Sequence, residues 1–313
     1  MIIEIALISF FLSLLSTFFF QKLFIKKKII DKINNRSSHS TISTRSGGVS
    51  IFLTVFLISI YYYLKGFDLY DYSFLLPLSI LLVVGCYDDI YKVDFKLKFI
   101  FQIIVAKIIL DSGLVIDNLH GLLGINELNR VFAQLLTILI VTAIINAINF
   151  IDGLDGLAIS IISIFIVSFE LFSSHDSPFK YLSIIVLFSF LPLYYFNFKR
   201  ENKVFLGDSG SLFLGGIVSI YSLYILSDNY LIIPKYDLNK IIFIFSILSY
   251  PIIDITRVII IRLYKNKSPF EADRNHIHHY LLKVFKTHFK STLIISLLSL
   301  VLIFLIQIIK SLI

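Results

Sequence analysis

The sequence predicts an all-α polytopic integral membrane protein of about ten transmembrane helices, N-terminus outside, with its candidate active site on the cytoplasmic face. Three observations predict it. The chain is 57% hydrophobic and only 16% charged, with mean hydropathy +0.88, whereas a soluble domain carries about a quarter charged residues. Ten segments reach or approach the roughly 20 apolar residues that cross a hydrocarbon core about 30 Å thick. Lysine and arginine are unevenly shared between the two sets of connecting loops, nineteen against six, and the richer set belongs inside. The 313 residues read as one transmembrane domain, 1–313.

The first span, 2–25, begins with Glu4, has no basic leader and no small-x-small cleavage site, and is followed by Lys26-Lys27-Lys28. That pattern predicts an uncleaved span and sets the first inside loop at 26–46. The loop carries Arg36-Ser37-Ser38-His39 and Arg45-Ser46-Gly47-Gly48. Cations ahead of a glycine pair suit either a phosphate clamp or simple orientation. Span two is 47–64. Span three, 73–87, is short and ends on Asp88-Asp89, with Lys92, Lys96 and Lys98 beyond. Adjacent carboxylates repel unless a cation joins them, and Mg²⁺ with a phosphate substrate is the natural partner. An ordinary polar helix end is the bland alternative.

Span four is 97–115. Span five, 131–149, closes onto Asn146, Asn149, Asp152 and Asp155, spaced every third residue with apolar residues between. On a helix these four would form one drifting stripe. Gly153 and Gly156 predict that the helix loosens there and admits a ligand to the backbone. Spans six, seven and eight are 156–174, 181–197 and 209–227. The eighth is opened by Phe205-Leu206-Gly207-Asp208-Ser209-Gly210-Ser211. Small residues at a helix start leave backbone N–H donors that suit an anion, or form a plain cap. Span nine, 240–262, holds Asp254 with Arg257 three residues on, most simply an intramembrane ion pair. The last inside loop, 263–291, carries Asp273-Arg274-Asn275-His276-Ile277-His278-His279 before span ten, 292–311. The histidine spacing is not that of a zinc site, and Arg274 suits phosphate or sugar recognition.

All four polar islands therefore fall on one side of the membrane. Ionisable groups near lipid are expensive and mark sites by default. A transporter would instead place its acids near the midplane, in broken helices. Apart from Glu4 at the outer start of the first span, only Asp111, Glu170 and Asp254 lie within spans. The net charge of +7 is accounted for by the inside loops and calls for no nucleic acid. A single cysteine, Cys86, excludes a disulfide framework and a cysteine-held metal.

Taken in order, R-S-S-H…R-x-G-G, the Asp88-Asp89 pair with Lys98, N-x-x-N-x-x-D-G-L-D-G-L, F-L-G-D-S-G-S and H-x-H-H resemble the polyprenyl-phosphate N-acetylhexosamine-1-phosphate transferase family. The resemblance spans Arg36 to His279. It implies Mg²⁺-dependent transfer (Mn²⁺ as an alternative) of a sugar-1-phosphate from a UDP-N-acetylhexosamine to undecaprenyl phosphate, releasing UMP. It implies Asn149 and Asp208 as metal ligands, Phe205 stacked on uracil and Asp155 on the nucleotide. Asp88 would act on or orient the lipid phosphate, supported by Asp89 and Lys98, with Asp152 also in the catalytic set. Arg45, Arg274, His276, His278 and His279 would bind the sugar and its phosphate. The H-x-H-H form looks like that of users of UDP-GlcNAc. The chain departs from the family at Ile42-Ser43-Thr44-Arg45, where P-T-P-R is common, and between Asn197 and Asp208, one residue longer than usual. Both departures bear on the choice of donor, with N-acetylgalactosamine or a 6-deoxy sugar as the alternatives. The resemblance further implies a multi-pass protein of the bacterial inner membrane, in contact with lipid, with a homodimer left open.

Overall fold

Each of the ten apolar segments folds as helix in the computed structural model, which describes residues 1–31, 42–268 and 275–312. In chain order these are α1 (Ile2–Lys26), α2 (Gly47–Leu64), α3 (Leu75–Tyr91), α4 (Phe95–Asp111), α5 (Arg130–Ile151), α6 (Leu157–Phe172), α7 (Lys180–Phe198) and α8 (Gly207–Leu226). The ninth segment divides into α9 (Lys240–Ile247) and α10 (Ser249–Tyr264), and the tenth is α12 (His288–Leu312). Among the described residues seven helices are long and apolar enough to cross a membrane, and the α9–α10 pair would make an eighth. The α4 and α6 segments, at 17 and 16 residues, rise about 25 Å at 1.5 Å per residue. The chain is a multi-pass membrane protein.

Two features depart from a plain run of spans. The ninth predicted span is bent by 78° between α9 and α10. Pro251 explains the break, since it has no N–H to give the Ile247 carbonyl. The last inside loop contains a short amphipathic helix, α11 (Ile277–Phe285), with only His278 fully buried.

The chain divides into two compact units, residues 1–105 with 176–216, and 106–175 with 217–313. In the first unit α1 packs along α7 and α2 through small polar residues. Ser13 Oγ donates to the Ser189 carbonyl at 2.8 Å and Ser16 Oγ to the Ser50 carbonyl at 3.2 Å. Such residues let helices approach closely where burial from water drives nothing. A two-residue parallel ladder pairs β1 (Ser43–Thr44) with β2 (Lys203–Val204). In the second unit α12 packs on α6, α9, α10 and α11, and α5 packs on α6 and α10.

Candidate active-site residues

In the first unit the tail of the ladder runs straight into helix starts. Phe205 N donates to the Thr44 carbonyl at 2.8 Å, and Gly47 N and Gly48 N donate to Phe205 and Leu206 at 3.0 and 2.9 Å. The glycine pair that follows the loop's cations, for which a phosphate clamp and simple orientation were both open, thus spends its N–H groups on the FLGDSGS run. Glycine is needed because the backbones touch: a Cβ on Gly48 would meet Gly210 N at 2.1 Å, and one on Gly85 would meet the Asp208 carbonyl oxygen at 2.4 Å.

That packing brings α3, α4 and α8 to one cluster of charge. Both oxygens of Asp89 accept backbone N–H groups, from Asp208 at 3.0 Å and Ser209 at 2.9 Å. The anion expected at the start of α8 is therefore this chain's own carboxylate, a favourable place for negative charge. Asp88 accepts Val93 N at 2.7 Å. Lys98 Nζ bridges Asp88 at 3.3 Å and Asp208 at 2.9 Å. Arg45 forks onto Asp31 at 2.9 and 3.0 Å and reaches Asp89 at 3.4 Å. Burial alone would pull the Arg45 guanidinium down, but Asp31, Asp89 and Asp208 hold it above its ordinary value. Phe205, half-buried, sits at the end of β2. Asp31 is not singled out by the sequence; its available signal is an acid three residues beyond the Lys26–Lys28 run of the first inside loop.

In the second unit α5 ends at Ile151, so Asn146 and Asn149 are helical while Asp152 and Asp155 occupy the turn beyond. The predicted stripe is cut after two members by the glycines. Gly156 at φ +74 starts α6. Gly153 admits a neighbour, although not the expected ligand: a Cβ there would meet His278 Nε2 at 2.4 Å. Asp155 is held by His288 at the head of α12, whose Nδ1 lies 3.3 Å from the carboxylate and 3.2 Å from Asp155 N. Thr292 Oγ1 donates to the Asp155 carbonyl at 2.9 Å. His288 was missed because it stands nine residues beyond the histidine motif; a titratable group at a span end was the available signal.

His276, His278 and His279 cluster with ring centroids 4.4–6.4 Å apart. His278 is 1% exposed, and burial, with His279 beside it, pushes its imidazole down to about 3. Its Nδ1 lies 3.3 Å from the Tyr250 hydroxyl. Asp254 does not pair with Arg257, which corrects the sequence reading. It contacts His276 Nδ1 at 2.6 Å, while Arg257 donates to the Asn275 carbonyl at 2.5 Å. The i,i+3 spacing allowed a pair, but a buried carboxylate finds better donors in the neighbouring loop. Arg274, with Arg36 to His39, lies outside the described residues.

Residues 72–226 match the model of a family described as glycosyl transferase family 4. The chain is 33% identical over 286 residues, 89% of its length and 76% of the relative's, to a Bacillus subtilis (strain 168) protein described as a probable undecaprenyl-phosphate N-acetylglucosaminyl 1-phosphate transferase. It is 33% identical over 300 residues, 93% of its length and 81% of the relative's, to the undecaprenyl-phosphate alpha-N-acetylglucosaminyl 1-phosphate transferase of Pasteurella multocida (strain Pm70). The protein of the same description from Haemophilus influenzae (strain ATCC 51907 / DSM 11121 / KW20 / Rd) is 30% identical over 283 residues, 87% of this chain and 76% of the relative.

Proposed function

Since the chain belongs to glycosyl transferase family 4, we propose that it transfers N-acetylglucosamine-1-phosphate from its UDP donor to undecaprenyl phosphate. UMP is released, and an envelope polysaccharide is begun at the bacterial inner membrane. The observation that carries the reading is Lys98 held between Asp88 and Asp208, beside an α8 start that Asp89 already caps.

The reaction joins two anions, so charge is the obstacle. An oxygen of the lipid phosphate attacks the β-phosphorus of the donor. The bond from that phosphorus to the oxygen bridging the α-phosphate breaks, and UMP leaves with the electron pair. Lys98 supplies positive charge to the incoming phosphate, and Asp88 orients that ammonium. Phe205 offers its half-buried ring to the uracil, and Asp155, fixed by His288, meets the nucleotide. His276, His278, His279 and Arg274 bind the sugar-phosphate.

Mg²⁺ takes hard oxygen ligands and keeps phosphates in its shell. Asp208 fits it: the carboxylate is held against a cation already, next to the Asp88 carboxylate. Asp208 would hold the ion; Asn149, which the resemblance implies as a ligand, belongs to the other unit. When bound, the ion neutralises the donor's diphosphate. An apolar cavity of about 480 Å³ in the second unit, lined among others by Ile140, Ile144, Ile148, Ile241, Phe245 and Leu248, suits part of a polyprenyl chain.

The test is transfer of label from a panel of UDP-N-acetylhexosamines into the organic phase, with purified protein, Mg²⁺ and undecaprenyl phosphate in detergent. Transfer from UDP-GlcNAc alone supports the reading in full. Transfer from another donor keeps the reaction and assigns the departures near Arg45 and Asn197 to specificity. Silence with every donor, from folded protein, sinks it.

A further inference from the structure

One turn of α10 governs three consecutive residues of the last inside loop. Asp254 is fully buried, yet its two oxygens have defined donors. Oδ2 lies 2.6 Å from His276 Nδ1, and Oδ1 accepts Ile277 N at 2.6 Å. An ionised carboxylate is acceptor-only, so the His276 Nδ1 must carry a proton. Ile277 is the first residue of α11, so the same carboxylate sits at that helix's positive end. Arg257, three residues on, takes the Asn275 carbonyl at 2.5 Å and lies 5.1 Å from the Tyr280 ring centroid. Residues 275, 276 and 277 are each fixed from α10.

The remaining surroundings of the His276 ring are also defined. His278 stacks on it at 5.3 Å and 16°, His279 stands at 6.4 Å, and Phe150 of α5 at 5.9 Å. Arg262 lies 6.0 Å from the Phe150 ring. Asp254, His276 and His278 offer ligand atoms within 4.8 Å of one another, but the acid's short contacts are to N–H donors. That is the arrangement in which a carboxylate orients an imidazole and sets its tautomer.

We propose that Asp254 is a positioning residue. It fixes His276 with the proton on Nδ1 and leaves Nε2 as an acceptor for a hydroxyl of the donor's sugar, while Arg257 holds the register of the loop entering α11. The assignment rests on the proposed function only for what meets Nε2; the Asp254–His276 pair stands apart from it.

Two measurements test it. Histidine-labelled protein should show, by two-bond proton–nitrogen correlations, a signal protonated on Nδ1 that disappears in His276→Gln. A His276 protonated on Nε2 in the unaltered protein overturns the proposal, whatever the enzyme's activity. For the reaction, Asp254→Asn should lower transfer by about 10- to 100-fold. The same change made on a His276→Ala background should cost no more than about 2-fold, because a positioning residue has nothing left to position. Equal losses in both backgrounds would make Asp254 merely structural and overturn the role. A protein with the expected spectrum but no transfer from any donor would remove the proposed function and leave the pair intact.

Discussion

An alanine Cβ at position 153 would stand 2.4 Å from Nε2 of His278. Gly153→Ala should therefore displace that imidazole and cut transfer while leaving the melting temperature within a few degrees; activity equal to that of the unaltered protein would refute the contact. His278 itself predicts a pH dependence of stability. Its folded imidazole is pushed from 6.5 down to about 3, so below pH 6.5 the unfolded chain binds a proton that the folded chain refuses. Stability then falls as pH drops through that window, and none of this contribution is lost above it. Melting in detergent should come earlier at pH 5 than at pH 7.5, and His278→Gln should narrow the gap. At the carboxylate proposed to hold Mg²⁺, Asp208→Ala should reduce transfer by about 10²–10³-fold, the scale of one lost electrostatic stabiliser. Fully retained Mg²⁺-dependent activity would remove Asp208 from the metal. The acids of the candidate site stand out in the sequence because carboxylates beside long apolar runs have few other uses. Their division of labour does not. Asp88 and Asp89 are neighbours in the chain, yet one meets Lys98 and the other caps a helix, and only the packing of α3 on α8 decides which.

For the elements, the apolar runs gave every long helix to within a few residues, since hydrocarbon leaves the backbone no partner but itself. The connections were harder to read. The ladder between Ser43–Thr44 and Lys203–Val204 joins residues about 160 positions apart, and no local pattern announces it. Its purpose is visible at Gly48, whose Cα lies so close to Gly210 that a Cβ would be 2.1 Å from the latter's nitrogen. Gly48→Ala should destabilise the protein by roughly 1–3 kcal/mol, the usual cost of overpacking, read as a lower melting temperature. An unchanged melting temperature would mean that α2 and α8 are not pressed together. The break in the ninth segment is written in Pro251, but the apolar run continues across it without interruption, so hydropathy alone predicts one straight span.

In the whole molecule, two units each hold part of the candidate machinery: Arg45, Asp88, Asp89, Lys98, Phe205 and Asp208 in one, Asn149, Asp152, Asp155 and the histidines in the other. Sequence order alone predicted that the islands share one face, because alternate loops return to the same side; it could not say which residues share a unit. The apolar cavity of the second unit, bounded by α5, α9 and α10, was invisible in the sequence, where its isoleucines and leucines look like any other lipid-facing residues. With a polyprenyl chain as its proposed occupant, it carries a consequence for the kinetics of transfer. A partner that reaches such a cavity travels in two dimensions, within the bilayer or the micelle, so the quantity that governs saturation is its mole fraction among amphiphiles and not its molarity. At fixed acceptor and protein, added detergent should slow transfer by dilution of that surface, and added water should not.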